Sequence, residues 1–340
     1  MQIASERLTI KNFKNKDLKM KNILTKLSVA FACFLLLIVP ASAQNKLRKQ
    51  MDFDNDNKAD FAVFRPSNNV WYINKSNGGF LIQPWGLANV DYPAPGDFDG
   101  DGKADISVWR DTDGVWYRLN SSTNTFFAQA FGITGDEPIA RDYDGDNKTD
   151  LAVVRRTGGA IIWYVYRSLD NGFVAYQFGL STDYTAPGDY DGDGKFDYAI
   201  QRPGATAAAQ STFYIQNSGN GTFSIIAWGL SNDLVVPGDY DGDQKTDLAV
   251  VREGATATSN LVWYIRKSTD GNLIAATFGI TGSDLNTQND YDGDGKCDMA
   301  VWRDTNGTFY VLTSSSNFAN SLQSQWGSPS DNPIASYDTH

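Results

Sequence analysis

A nine-residue pattern crowded with aspartate occurs six times in this chain, and only a fold with a matching internal repeat can accommodate it. The copies begin at Asp52, Asp97, Asp142, Asp189, Asp239 and Asp290, and each has Asp at positions 1, 3, 5 and 9 and Lys at position 7. The starts are 45, 45, 47, 50 and 51 residues apart. The stretch after each copy repeats as well. Arg recurs at Arg65, Arg110, Arg155, Arg202, Arg252 and Arg303. A Trp-Tyr or Phe-Tyr pair begins at Trp71, Trp116, Trp163, Phe213, Trp263 and Phe309, a Ser lies five residues beyond each, and each unit ends in Trp-Gly or Phe-Gly. Periods of this size belong to architectures built from one supersecondary unit that cannot bury its own faces.

The runs between the loops are short, rich in Val, Ile, Tyr, Trp and Phe, and punctuated by Asn-Gly, Asp-Gly and Pro-Gly, which is the pattern of strands. Beyond residue 43 no segment holds a 3.6-residue apolar period long enough for a helix. A fourth strand is expected just ahead of each loop, in segments such as 92–96 and 234–238. The fold class is therefore all-β: a β-propeller of six, or alternatively seven, four-stranded blades, with a loop between the first two strands of each. The recurrent Ala62, Ala152, Ala199, Ala249 and Ala300, with Ser107 in the second unit, suit close packing of sheet on sheet. The tail from Trp326 to Asp338 copies the stretch from Phe131 to Asp144 and then stops. It is expected to supply the first strand of the blade that holds Asp52 to Asp60 and so close the ring, which removes the exposed edges of an open array. A seventh, partial blade is the alternative.

Of the 40 acidic residues 37 are Asp, and 24 of those sit in the six loops. Four carboxylates within nine residues repel one another unless a cation lies among them. Calcium takes six to eight oxygens in irregular geometry, and a short loop can supply them from the side chains at positions 1, 3, 5 and 9 and the carbonyl at position 7. The candidate ligands are Asp52, Asp54, Asp56, Lys58 and Asp60; Asp97, Asp99, Asp101, Lys103 and Asp105; Asp142, Asp144, Asp146, Lys148 and Asp150; Asp189, Asp191, Asp193, Lys195 and Asp197; Asp239, Asp241, Asp243, Lys245 and Asp247; and Asp290, Asp292, Asp294, Lys296 and Asp298, the lysines through their backbone carbonyls. Position 4 is Gly in five copies and Asn55 in the first; position 6 is Gly or Asn in all but Gln244, as a loop needing positive φ requires. No Glu follows at position 12, so this is not the helical calcium loop, and magnesium, which keeps its waters, suits an all-protein cage poorly. Six Ca²⁺ ions are the expected complement. A site with free ion about ten-fold above its dissociation constant gains roughly 1.4 kcal/mol, so six would add about 8 kcal/mol, comparable to the stability of a whole domain.

Residues 20–43 carry Lys21 and Lys26, an unbroken apolar run from Leu27 to Val39, and Ala41-Ser42-Ala43, the layout of a secretory signal. The domain reading is a signal peptide over 1–43, with Met20 an alternative start, followed by a single propeller domain over 44–340. The expected location is extracellular or at the cell surface, with the periplasm an alternative, and no membrane span remains once the signal is removed. Cleavage before Gln44 leaves Cys297 as the one thiol, so no internal disulfide can form and calcium takes the place of a staple. The net charge of −11 argues against a nucleic-acid partner.

The run of Phe/Trp-Gly, then Pro-x-Pro-Gly or its variants, then Asp-Tyr-Asp-Gly-Asp-Gly-Lys-x-Asp-Leu-Ala-Val resembles the FG-GAP or VCBS-type repeats of bacterial surface proteins, which are similar to the repeats of the integrin α-subunit propeller. The resemblance covers roughly residues 50–340. It implies a propeller with calcium held in the hairpin between the first two strands of each blade, by the four Asp and the Lys carbonyl of each loop. It implies no single activity, since members include adhesive domains, lectin-like propellers and appendages of enzymes.

Strand polarity places Arg65, Arg110, Arg155, Arg202, Arg252 and Arg303 near the face opposite the loops, with Trp71, Trp116, Trp163 and Trp263 beginning the next strand there. Such a rim suits sugars through cation–π contact; the competing reading is that each Arg stacks on a neighbouring aromatic within its own blade. The loops 203–211 and 253–260 project at the same rim. An active site on a repeated scaffold must break the repeat, and the residues that do so are Glu137, Glu253, the pair Asp111 and Asp113, Tyr166 and Arg156. His340 is the only histidine, and no Ser-His-Asp set, Cys-His pair or phosphate loop occurs. The expected function is a non-catalytic, calcium-binding interaction module for a glycan or a cell-surface protein. The alternatives are a secreted hydrolase or lyase acting on carbohydrate, and a purely structural surface protein.

Overall fold

The computed structural model describes residues 50–335; the segment 1–43, expected to be a signal peptide, lies outside them. Six four-stranded antiparallel sheets follow one another along the chain. Blade two is the simplest: β4 (Asp91–Pro93), β5 (Ile106–Arg110), β6 (Val115–Asn120) and β7 (Thr125–Ala130) pair in order from inside to outside. Blade three holds β8 (Glu137–Pro138), β9 (Leu151–Thr157), β10 (Ala160–Tyr166) and β11 (Phe173–Leu180). Blade four holds β12 (Tyr184–Thr185), β13 (Tyr198–Arg202), β14 (Gln210–Gln216) and β15 (Phe223–Leu230). Blade five holds β16 (Leu234–Val235), β17 (Leu248–Arg252), β18 (Asn260–Arg266) and β19 (Leu273–Ile280). Blade six holds β20 (Asp284–Asn286), β21 (Met299–Arg303), β22 (Thr308–Leu312) and β23 (Ser321–Gln325).

Blade one takes β1 (Phe61–Arg65), β2 (Val70–Asn74) and β3 (Phe80–Pro84) from the front of the domain and its inner strand, β24 (Asn332–Pro333), from the back. Val63 pairs with Pro333 and Phe64 with Asn332. The tail therefore completes the first blade, and the count is six. Helical structure among the described residues is confined to short 3₁₀ turns such as Ser314–Ser316.

Burial follows the pleat. In β5, β17 and β21 the first four residues are buried and the terminal Arg is half-buried, as befits the second strand of a blade, covered on both faces by its neighbours. Ala62, Ser107, Ala152, Ala199, Ala249 and Ala300 are fully buried where one sheet meets the next. The repeated aromatic within each third strand is also inaccessible: Trp71, Trp116, Trp163, Phe213, Trp263 and Phe309 are all 0% exposed. Each contributes about 2–3 kcal/mol through burial. Outer strands alternate exposed and half-buried residues.

Candidate metal centres and the opposite rim

Five aspartate loops connect the inner strand of a blade to the next strand, and the loop 52–60 leads into β1, whose inner neighbour β24 comes from the far end of the domain. Positions 4 and 6 take positive φ throughout: Asn55 64°, Gly100 84°, Asn57 70° and Gly102 89° in the first two loops. Gln244 adopts 72° at a position where the other copies have Gly or Asn.

Position 1 wraps the loop around its own carboxylate. Asp97 accepts from the amides of Gly100 at 2.6 Å and Gly102 at 3.0 Å, and the other first-position aspartates repeat the pattern. Position 9 braces the loop against the rest of the blade. Asp150 is 0% exposed and takes the Tyr143 amide on one oxygen and the Ser168 amide on the other, at 2.8 and 2.7 Å. The recurrent Ser then turns its hydroxyl to position 5, as Ser168 does to Asp146 at 2.9 Å and Ser268 to Asp243 at 2.8 Å. The residue after that Ser holds position 3: the Leu169 amide bonds Asp144 at 3.0 Å. The repeated Ser, visible in the sequence without an assigned role, is thus the second support of each loop.

In the loops of Asp52, Asp97 and Asp142, carboxylate oxygens from positions 1, 3 and 5 lie within 4.8 Å of one another; in those of Asp189 and Asp239 the set is positions 1, 3 and 9. Burial pushes the carboxyls of Asp60, Asp150, Asp247 and Asp298 up to about 7, and those of Asp105, Asp197 and Asp239 up to about 6. Carboxylates gathered this closely and this far from water carry an uncompensated charge. In the first loop Asp54 Oδ1 is buried and has no hydrogen-bond partner among the described residues. An all-oxygen donor set of this kind fits a hard divalent cation, calcium above the softer transition metals. The ion would be held by the aspartates at positions 1, 3, 5 and 9 and the carbonyl at position 7, and it would supply the positive charge these groups lack.

The lysine at position 7 has a further role that the sequence did not disclose. Its stem lies across the position-4 glycine of the preceding loop: a Cβ added at Gly100 would meet Lys148 Cε at 2.6 Å, and Gly145, Gly192, Gly242 and Gly293 face Lys195, Lys245, Lys296 and Lys58 in the same way. Backbone bonds reinforce this. The amide at position 8 donates to the position-1 carbonyl of the loop before it: Ala104 to Asp52, Thr149 to Asp97, Phe196 to Asp142, Thr246 to Asp189 and Cys297 to Asp239, at 2.6–2.8 Å.

At the other end of the sheets the expected rim is rearranged. Trp71, Trp116, Trp163 and Trp263 cannot present a face to a ligand, because each is 0% exposed. The pleat turns them into the core, and Trp116, Trp163 and Trp263 use their indole N–H to hold the carbonyl of the Phe that closes the blade, at 2.9 Å. Each repeated Arg makes an ion pair with an Asp whose side chain is at most 2% exposed: Arg65 with Asp331, Arg110 with Asp91, Arg155 with Asp136, Arg202 with Asp183, Arg252 with Asp233 and Arg303 with Asp284, at 2.7–2.8 Å. Its other face covers the Tyr of the next strand, at 4.4–4.6 Å from the ring centre. The arginines fasten each blade to its own first strand. The signal was present, since Asp precedes Arg by 19 residues in five of the six pairs.

The carboxylates that break the repeat are engaged or exposed. Glu137 pairs with Arg156 at 2.7 Å, Asp113 accepts the Tyr117 hydroxyl at 2.8 Å, Asp111 accepts the Gly135 amide at 2.7 Å, and Glu253 is exposed in its loop.

Residues 52–108 match the FG-GAP-like repeat family, and a ring of six four-stranded blades is consistent with proteins built from that repeat. No curated protein matches the sequence. Among solved structures the chain is similar to TolB from Acinetobacter baumannii, at 14% identity and a TM-score of 0.50, over 81% of this chain and 66% of TolB. The chain thus spans just under two thirds of that protein's length. It is also similar to a triple arginine-to-alanine mutant of AofleA from Arthrobotrys oligospora, at 10% identity and a TM-score of 0.48, over 85% of this chain and 88% of that one. At these identities the likeness is one of fold.

Proposed function

We propose that this protein is an exported interaction module, held in shape by calcium in its six aspartate loops, that presents its propeller to a glycan or a cell-surface protein and carries out no catalysis. The observation that carries the reading is the buried, braced aspartate at position 9 of every loop, together with the three carboxylates of the same loop that lie within 4.8 Å of one another in at least five of them. Such a group is stable as an anion only with a cation near it. The family to which residues 52–108 match adds weight to calcium as that cation. Ion pairs that absorb all six repeated arginines, and the engagement of the asymmetric carboxylates, favour a scaffold over an active centre.

The test is thermal unfolding of the chain from Gln44 onward, in millimolar Ca²⁺ and in chelator, together with a count of bound ions. About six ions per chain and a midpoint that rises steeply with Ca²⁺ are expected. An unchanged midpoint with no bound ion would overturn the calcium reading.

A further inference from the structure

The inner strands of the six blades enclose a cavity of about 450 Å³ on the axis of the ring, within the range of ligand sites. Its wall departs from the repeat. At the register just beyond the arginine-bound aspartate the six blades carry Tyr92, Glu137, Tyr184, Leu234, Leu285 and Asn332. Tyr92 and Tyr184 line the cavity and are about half exposed, at 48% and 51%. One residue further on, three blades present the apolar ring of a proline, and the sixth presents Asn286.

Two buried amides of the lining have acceptor oxygens with no donor among the described residues and almost no accessible surface of their own. Asn286 is 9% exposed and its Oδ1 is unbonded; Gln50 is 3% exposed, gives its Nε2 to the Ala140 carbonyl at 3.1 Å, and leaves its Oε1 unbonded. Charged groups in the lining are already engaged. Glu137 is paired with Arg156 and Asp233 with Arg252, and Arg141 bonds the Ala140 carbonyl and lies 5.8 Å from the Phe196 ring centre. The ligand this wall would recognise is therefore uncharged, carries hydroxyl donors that the two amides can turn to meet, and has apolar faces for tyrosine and proline.

From this geometry we infer that the axial cavity is a binding site for a neutral saccharide unit, one or two residues long. The inference rests on the interaction-module reading and narrows it. Rotation of the two side-chain amides would bring their oxygens to the hydroxyls of the sugar and end an unpaired state that costs free energy, while Tyr92 and Tyr184 close over its C–H faces at the opening.

Saturation-transfer NMR and calorimetry with neutral monosaccharides and disaccharides, and with uronic acids and sugar phosphates as charged controls, would test it on the calcium-loaded protein. Neutral sugars are expected to bind. Asn286→Leu should weaken them about ten-fold or more, and Tyr92→Ala, at a half-exposed position where folding is not at stake, should weaken them as well. Binding that survives both substitutions unchanged would overturn the axial site while leaving a glycan-binding module intact. A preference for the charged sugars would overturn the neutral-ligand assignment. No binding by any sugar would overturn the inference and leave a protein partner for the module.

Discussion

The Ala59 amide donates to the Asp290 carbonyl at 2.7 Å, joining the first aspartate loop to the sixth. With the five equivalent bonds between successive loops, it makes an unbroken circle in which the carbonyl of each first-position aspartate receives a bond from the next loop. An ion that tightens one loop therefore fixes a backbone group on which its neighbour leans.

Calcium binding should accordingly be cooperative. Calorimetric titration is expected to give a Hill coefficient above one, because a loop ordered by its ion lowers the ordering cost of the next. Ala59→Pro, which removes the donor that closes the circle, should reduce it. Six sites filling with a coefficient of one would show the loops to be independent.

Calcium should abolish the pH response seen without it. Ion-free, Asp60, Asp150, Asp247 and Asp298 titrate at about 7 against the ordinary 3.8, so the folded state holds protons that the unfolded chain releases. That stability is fully present below the ordinary value and is lost as pH rises through about 7. Bound calcium depresses the same groups, and the stability it brings is lost as pH falls. The melting midpoint in chelator should drop between pH 5 and pH 8, whereas in saturating Ca²⁺ it should stay level over that interval and fall only below about pH 4.

Gln244→Gly should stabilise the protein. The residue sits at a φ of 72°, where a side chain costs about 1 kcal/mol and glycine none; after the entropy that glycine adds to the unfolded chain, a net gain of about 0.5 kcal/mol remains. Chemical denaturation of the calcium-loaded protein checks it, and a loss of stability would mean that the Gln244 side chain carries a contact of its own.

Arg202→Ala leaves Asp183 buried without its partner, at a cost of about 2–4 kcal/mol given the partial exposure of the Arg. Arg202→Lys should recover little of it, because a lysine can neither bond both carboxylate oxygens nor stack flat on Tyr214. Denaturant midpoints of the two variants decide the matter. Calcium stoichiometry should stay the same in both.

The strands, the six units and the closing tail were legible because hydrophobic period, turn residues and the repeat all pointed to one architecture. The loops were legible because four aspartates in nine residues admit few readings. Tryptophan at the start of a strand was not, since period-two alternation says that Trp71 and Tyr72 face opposite ways without saying which faces water. Packing against both neighbouring sheets decides it: Trp71 is buried and Tyr72 covers Arg65. The Asp91–Arg110 type of pair was hidden by abundance, because one more aspartate attracts no notice in a chain that has 37. The axial cavity was least legible of all. Its wall takes one or two residues from each blade, so its chemistry lies in differences such as Asn286 against Pro93, which a search for sameness passes over.

The strand that completes the first blade is encoded at the far end of the domain, where Asn332 and Pro333 pair with Phe64 and Val63. A chain emerging from its amino end can assemble blades two to six one after another, but the portion made first is finished last. Until residues 332–334 arrive, β1 offers an unpaired edge to any passing strand. A chain cut short by proteolysis or by premature termination would keep that edge for its lifetime, so the clasp doubles as a proof of completeness.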